Sequence, residues 1–310
     1  MRTISTDKIT AAVIELVRRA NFELSVEVVA RFTALRDDED DADARSTLDI
    51  ILENAEIARR DALPLCQDCG SAIVFVEMGQ DVRLEGKLLD DAVNEGIGAA
   101  YEKYFLRKSI VGDPLRRRNT GTNTPAFIHA ELVPGDRVRV IVYLKGGGSE
   151  NMSSLKMFNP TASEDDIIAH IAETVKAAGP NPCPPLFLGV GIGGTVDIAM
   201  LNSKKAVLRG VGTRHHDPYY AELEARILGA LNATGVGPLG FGGRSTAAAV
   251  SRSSSRSSPS STSNRRSCAG CESPAPVAGL FVFSSSPPRR PRPAPSGPGT
   301  VSAPPRGCRG

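Results

Sequence analysis

Residues 126–145 read AFIHAELVPGDRVRVIVYLK, and the folding of this stretch decides the architecture of the chain. Val138, Val140, Val142 and Leu144 fall on every second residue, the period of a strand with one buried face. AFIHAELV before them is also β-type, and Pro134-Gly135-Asp136 in between has turn chemistry. The stretch therefore predicts a β-hairpin. A hairpin alone is marginal in water, so it needs further elements to cover its apolar face.

Helical periodicity supplies them. Ile9, Val13, Leu16, Val17 and Ala20 share one face of a helix over 6–20, capped by Ser5 or Thr6. A shorter helix is predicted over 25–36, and Leu48, Ile51, Leu52, Ala55 and Ala58 mark one over 44–61. The acidic run DDEDDAD (37–43) reads as a solvated turn or as the start of that next helix, where negative charge suits the dipole. Further along, AIVFVEM (72–78) is a strand and 87–105, 163–178 and 217–232 are helical. LFLGVGIGG (186–194) reads as a buried strand running into glycine. The predicted fold class is mixed α/β (α+β), with a helical N-terminal part followed by a sheet-containing body.

Charge divides the chain in two. The whole carries +2, but residues 251–310 hold nine Arg, no Lys and one acid (Glu272), leaving −6 on the first 250 residues. Those last sixty residues also hold sixteen Ser and eleven of the 22 Pro. So little apolar surface does not offset the entropy of ordering, and a disordered C-terminal tail is predicted. The boundary is set at 250, with a catalytic domain over 1–250 and the tail over 251–310. No apolar run of about eighteen residues is present, so no membrane span is expected. MRTISTDKIT lacks the blocks of a signal peptide, and cytoplasmic residence is expected. In that compartment six cysteines are reduced, metal-bound or catalytic rather than cross-linked.

LPLCQDCGSA (63–72) is the first chemically specific segment. Its C-x-x-C fits a redox pair poorly, because it follows a helix and Pro64 and precedes a strand, the reverse of the thioredoxin order. A zinc site needs a second ligand pair, and Cys268-Ala-Gly-Cys271 lies in the tail. A third pairing joins Cys66 with Cys183 of NPCPP, each presented from a rigid loop, and soft thiolates suit iron–sulfur clusters. Cys183 reads equally as a small buried hydrophobe. KGGGSEN (145–151) can converge backbone N–H groups on an anion but is not a P-loop. GVGIGG (189–194) lacks the acidic residue of a dinucleotide site and reads as a glycine-rich turn. Arg107 and Arg116, Arg117 and Arg118 form either a solvated loop or a carboxylate clamp. His215-His216 reads as a satisfied loop pair.

In order, PLCQDCGSAIVFVEMG, LRKSIVGDPL, RRNTGTNTPAFIH, KGGGSENMS, NPCPP, GVGIGGT and GPLGFGG resemble the α-type catalytic domain of the class I, iron–sulfur fumarate hydratase and L(+)-tartrate dehydratase family. The resemblance covers about residues 5–250. It implies a hydro-lyase acting on a four-carbon hydroxy-diacid, malate to fumarate first and L(+)-tartrate second. It implies a [4Fe–4S] cluster whose ligands include Cys66 and Cys183. Asp68 is implied near the reacting hydroxyl, with Gln67 and Arg107 binding substrate and Gly147 and Gly148 giving backbone donors. Cys69 stands where the family usually has Thr. A chain ending after the α-type region resembles the separate α subunit, so a β subunit in an αβ hetero-oligomer is implied as partner, and the chain alone is expected to be inactive.

The resemblance stops near Val250, before the family's pocket His and third cluster cysteine. The tail reads as a genuine extension, as an Arg/Ser segment binding RNA, or as a shifted reading frame. The third is favoured, because G- and C-rich codons out of frame give Ser, Arg, Pro, Gly and Ala without Lys. No nucleic-acid partner is then expected, and loss of the third cysteine leaves the cluster labile. The competing functions are an RNA-binding protein acting through its tail and a zinc or redox C-x-x-C protein.

Overall fold

The computed structural model describes residues 1–253 and a strand at 280–285. In chain order the elements are β1 (Arg2–Ser5), α1 (Thr6–Phe22), α2 (Val26–Asp38), α3 (Ala42–Asp61), β2 (Ser71–Gly79), β3 (Val82–Glu85), α4 (Leu89–Lys103), β4 (Phe127–Val133) and β5 (Val138–Lys145). There follow the one-turn α5 (Gly147–Glu150), β6 (Ser154–Phe158), α6 (Glu164–Ala178), β7 (Leu186–Ile192), α7 (Val196–Val207), α8 (Pro218–Asn232), a 3-10 turn (Pro238–Gly240), β8 (Ala247–Ser253) and β9 (Leu280–Ser285). The mixed helix-and-sheet class and the helical N-terminus stand as expected. Strands β1, β3, β6 and β8, and helix α7, were not legible in the sequence.

The hairpin does not form. Strands β4 and β5 are both present, but β2 lies between them in the order β4-β2-β5, parallel to β4 and antiparallel to β5. The reason is burial. Ile73, Val74, Phe75 and Val76 of β2 are all at most 4 % exposed, so both faces of this strand are covered and both edges need partners. The Pro134-Gly135-Asp136 link therefore arcs over the end of β2 across two inter-strand spacings, about 10 Å. Gly79 N–H donates to Arg137 O (2.8 Å), Gln80 N–H to Val133 O (2.9 Å) and Asp81 N–H to Gly135 O (3.0 Å). Gly79 makes the crossing possible, because a Cβ there would lie 2.3 Å from Gly135 O.

Alternation along β2 and β5 then builds two cores. Ala72, Val74, Val76, Val142 and Leu144 pack with Val13 and Val17 of α1 and Ile97 and Tyr101 of α4. Ile73, Phe75 and Tyr143 face the other way, toward Val28 and Phe32 of α2, Leu48 of α3 and Phe187 of β7. A third cluster packs Leu186, Leu188 and Val190 of β7 against Ile171 and Val175 of α6 and Ile227 and Leu231 of α8. Each such fully buried side chain contributes roughly 1.5–3 kcal/mol relative to exposure. Ser163 and Asp166 close a reciprocal capping box at the start of α6, which fixes where that helix begins.

GVGIGG is not a turn at its first two glycines. Gly189 and Gly191 lie inside β7 on one face, where a Cβ would sit 2.1 Å from Ser203 O and 2.1 Å from Ala199 O respectively. The missing side chains let α7 lie directly on the sheet. Only Gly193 and Gly194, with φ of 88° and 83°, make the turn. The acidic run also departs from a solvated turn at one position. Glu39 is 1 % exposed, and its carboxylate accepts from Ser245 Oγ (2.6 Å) and Arg244 N–H (3.1 Å).

The second large sheet has the order β6-β9-β7-β8, with all neighbours parallel. Strand β9 comes from the segment read as disordered. Its LFVF run is an apolar β-type tetrad that the average composition of sixty residues concealed. The rest of the predicted tail lies outside the described residues.

Candidate active site

The Cys66 loop is fixed at both ends. Helix α3 stops at Ala62, whose φ of 53° is left-handed, and Leu63 N–H returns to Ala58 O (3.1 Å). Leu65 N–H donates to Asn21 O (2.8 Å), and Asn54 Nδ2 to Leu65 O (3.0 Å). Inside the loop Asp68 N–H points at Cys66 Sγ (3.4 Å), and Gly70 N–H binds Asp68 Oδ1 (3.1 Å). Cys66 and Asp68 are half-buried while Gln67 is exposed. A small cleft is lined by Cys66, Asp68, Cys69, Leu144 and Gly146.

KGGGSEN meets this loop from the end of β5. Gly147 N–H donates to Asp68 Oδ2 (2.8 Å), so both carboxylate oxygens are held by backbone donors. Lys145 is 2 % exposed, and its ammonium donates to Ser149 Oγ (2.9 Å) and pairs with Glu150 (3.3 Å). Lys204 of α7 pairs with the other oxygen of Glu150 (2.8 Å), tying α5 to α7. Burial pushes the Lys145 ammonium down to about 8, against the pull of Glu150. Burial raises Glu150, but its bonds to Lys204 and Lys145 outweigh this and hold it below the ordinary carboxylate value.

The third loop, NPCPP, packs on the second. A Cβ on Gly148 would lie 2.9 Å from Asn181 O, so glycine permits that approach. Cys183 N–H donates to Pro180 O (2.9 Å), and Leu239 N–H of GPLGFGG donates to Pro184 O (2.8 Å). Cys183 is exposed, with a left-handed φ of 56°, and is not a buried hydrophobe. Partial shielding pushes its thiol up, and the charges of Cys66 and Asp68 act in the same direction. Cys66, Asp68 and Cys183 are thus within electrostatic reach of one another across 117 positions of sequence between the two cysteines.

Cys69 differs from the other two in being buried. It is 5 % exposed within the α1–α4 core, its thiol donates to Cys66 O (3.7 Å), and its sulfur accepts Arg107 N–H (3.3 Å). Burial raises its thiol, the opposite of a reactive redox cysteine. Arg107 is exposed beside the cleft, and Gln67, Gly147 and Gly148 are exposed on the same set of loops. Two residues escaped the sequence reading. Tyr101, 0 % exposed, donates to Cys69 O (2.6 Å) and Gly70 O (3.0 Å). Asn123, also 0 % exposed, donates to Gly70 O (3.1 Å). Neither carries a signal beyond its place in a helix or in a polar loop. His215 and His216 stack with ring centroids 4.4 Å apart, and His215 meets Tyr220 edge-on.

The donor set can be tested against a cluster. Cys66 and Cys183 lie on two loops that both pack on the Gly147–Gly148 segment, and two thiols so placed would suit two corners. Among the described residues no group of three or more His, Cys, Asp or Glu is placed to hold a metal. A complete set of three is therefore not present in residues 1–253. Cys268 and Cys271 lie outside the described residues.

Glycine-rich loops thus converge on the Asp68 carboxylate, with a cysteine on each flanking loop, on a mixed α/β body, an arrangement of the enzyme-site type. The sequence model of the family described as "Fumarate hydratase (Fumerase)" matches residues 10–263. The chain belongs to this family, the class I fumarate hydratases and L(+)-tartrate dehydratases. It is 40 % identical over 248 residues to the putative L(+)-tartrate dehydratase subunit alpha of Methanocaldococcus jannaschii, covering 77 % of this chain and 86 % of that one. It is 30 % identical over 260 residues to the L(+)-tartrate dehydratase subunit alpha of Escherichia coli, covering 83 % and 85 %. No helix among the described residues is long and apolar enough to cross a membrane.

Proposed function

We propose that the chain is the α subunit of an iron–sulfur hydro-lyase that reversibly dehydrates a four-carbon hydroxy-dicarboxylate in the cytoplasm. Malate to fumarate is the first reaction. L(+)-tartrate to oxaloacetate is the second, favoured by the names of the relatives. The observation that carries this reading is the packing of the Cys66–Asp68 loop and the Cys183 loop on the same Gly147–Gly148 segment in a chain of this family.

Cys66 and Cys183 would hold two corners of a [4Fe–4S] cluster, with the third ligand supplied from beyond the described residues. When bound, such a cluster supplies a Lewis-acidic iron without a protein ligand. Asp68 stands next to Cys66 with its orientation set by Gly70 and Gly147, which suits a carboxylate that positions or shares the proton of a substrate hydroxyl. Arg107 offers a guanidinium that grips a carboxylate bidentately, and Gln67 a neutral polar contact. The Gly147–Gly148 turn packs against both neighbouring loops and holds the pocket wall in place. Dehydration then removes the hydroxyl and a proton from the adjacent carbon, leaving the unsaturated diacid and water.

The site is shallow. Gln67, Arg107, Gly147, Gly148 and Cys183 are all exposed, so the chain alone does not exclude water from the reacting atoms. This supports a β subunit that closes the pocket and supplies the base, in an αβ hetero-oligomer. The deciding experiment is anaerobic co-expression with a β subunit from the same genome, followed by assay on malate, fumarate and L(+)-tartrate. Turnover of one of these by the pair and by neither subunit alone supports the proposal. A frame-corrected chain with a full cluster and no turnover of any of them rejects it.

A further inference from the structure

The Arg107 guanidinium makes no ion pair among the described residues, so its place depends on the backbone that carries it. One buried amide, that of Asn123, ties that backbone to Gly70 of the neighbouring loop. Asn123 Oδ1 accepts from Ser109 N–H (2.7 Å) and Ile110 N–H (3.2 Å), while its Nδ2 donates to Gly70 O (3.1 Å). Gly70 is the same residue whose N–H holds Asp68 Oδ1. We infer that Asn123 is a positioning residue that locks the Arg107 loop onto the Cys66–Asp68 loop and so sets the distance between the carboxylate-binding group and the reacting one. The role assigned to Arg107 rests on the function proposed above, whereas the lock itself rests on geometry alone.

Three features make the amide specific. Its φ of 60° is left-handed, a conformation that Asn adopts more readily than most residues. It is 0 % exposed, so replacing it removes from the interior the acceptor shared by Ser109 and Ile110 N–H and one of the two side-chain donors to Gly70 O. It also needs one acceptor and one donor on the same side chain. Aspartate would keep the acceptor for Ser109 and Ile110 but set an oxygen against Gly70 O. Two contacts reinforce the lock from the other side. Arg107 N–H reaches Cys69 Sγ (3.3 Å), and Tyr101 OH reaches Gly70 O (3.0 Å).

The test uses Asn123→Ala and Asn123→Asp in the full chain, with two readouts. The first is the rate of trypsin cleavage after Arg107 and Lys108, with cleavage after Arg59 and Arg60 as internal control. Both variants should be cut about tenfold faster at the first pair and unchanged at the second, as expected when one segment opens locally. Equal rates at the first pair overturn the lock. If Asn123→Ala is cut faster at all four bonds it has unfolded globally, and Asn123→Asp then decides on the same criterion. The second readout is the αβ complex, where KM for malate should rise about tenfold with kcat changed less than about threefold. A fall in kcat with KM unchanged overturns the link to Arg107. A wild-type complex without activity rejects the proposed function, while the cleavage rates still decide the lock.

Discussion

Gly147 N–H and Asp68 Oδ2 are 2.8 Å apart, and this bond joins two loops separated by 79 positions in the sequence. With Gly70 N–H on the other oxygen, the Asp68 carboxylate has its plane fixed before any ligand arrives. Pre-set orientation is what a group that handles a proton in one geometry requires.

Asp68→Asn should therefore cost activity far more than stability. An amide is nearly isosteric, but it cannot accept from both Gly70 and Gly147 and cannot share a proton. The expected loss in kcat of the αβ complex is about 100-fold or more. The melting temperature of the chain should change little, and a large drop there with intact kcat would refute the assignment.

The three cysteines among the described residues should respond differently to substitution. Cys66→Ser and Cys183→Ser are each expected to abolish retention of iron and the visible absorbance after anaerobic reconstitution. Cys69→Thr is expected to leave both unchanged, because a hydroxyl can accept Arg107 N–H as the sulfur does. Iron loss in Cys69→Thr with retention in Cys183→Ser would reverse the reading.

Lys145 predicts a pH dependence with a definite sign. Its folded value of about 8 lies below the ordinary 10.5, so between these values the folded state binds fewer protons than the unfolded chain. Its contribution to stability must therefore rise as the pH climbs through that window, by on the order of 3 kcal/mol. Urea unfolding at the two ends of the window should show this rise in the parent chain and its absence in Lys145→Met.

Arg252 marks where sequence and fold part company. It stands opposite Val190 in the β8–β7 ladder and is 7 % exposed, with its guanidinium 3.5 Å above the Tyr220 ring. Neither Nε nor Nη1 has a hydrogen-bond partner among the described residues. Each unpaired buried donor costs about 1–3 kcal/mol, more than the ring contact returns at roughly 0.5–2 kcal/mol. Arg252→Leu should raise the melting temperature, and a lower one would show that the cation is satisfied in the full chain. A shifted reading frame near codon 250, which we carry as a proposal, accounts for a cation on an apolar strand face. Coding DNA with the frame intact removes it.

Periodicity made most helices legible, because Ile9, Val13 and Val17, or Leu48 and Ala55, repeat at the helical interval whatever they pack on. It could not show that β4 and β5 are apart. Their turn chemistry is that of a hairpin, and only the need of β2 for two partners opens them. The candidate site was legible for the same kind of reason in part. Cys66, Asp68, Arg107 and Cys183 are chemically distinctive types in constrained loops. Asn123, Tyr101 and Lys145 are ordinary in sequence and matter only through what they touch.

By itself the sequence determined the type of most long elements, the division of charge at the tail and the family-specific order of motifs, since all of these are local or collinear properties. Tertiary structure alone decided that β2 splits the predicted hairpin, that Gly189 and Gly191 serve packing rather than a turn, and that Cys69 is buried while Cys66 and Cys183 are not. Those outcomes depend on which surfaces meet, and burial of both faces of one strand is a property of the whole chain rather than of any window along it.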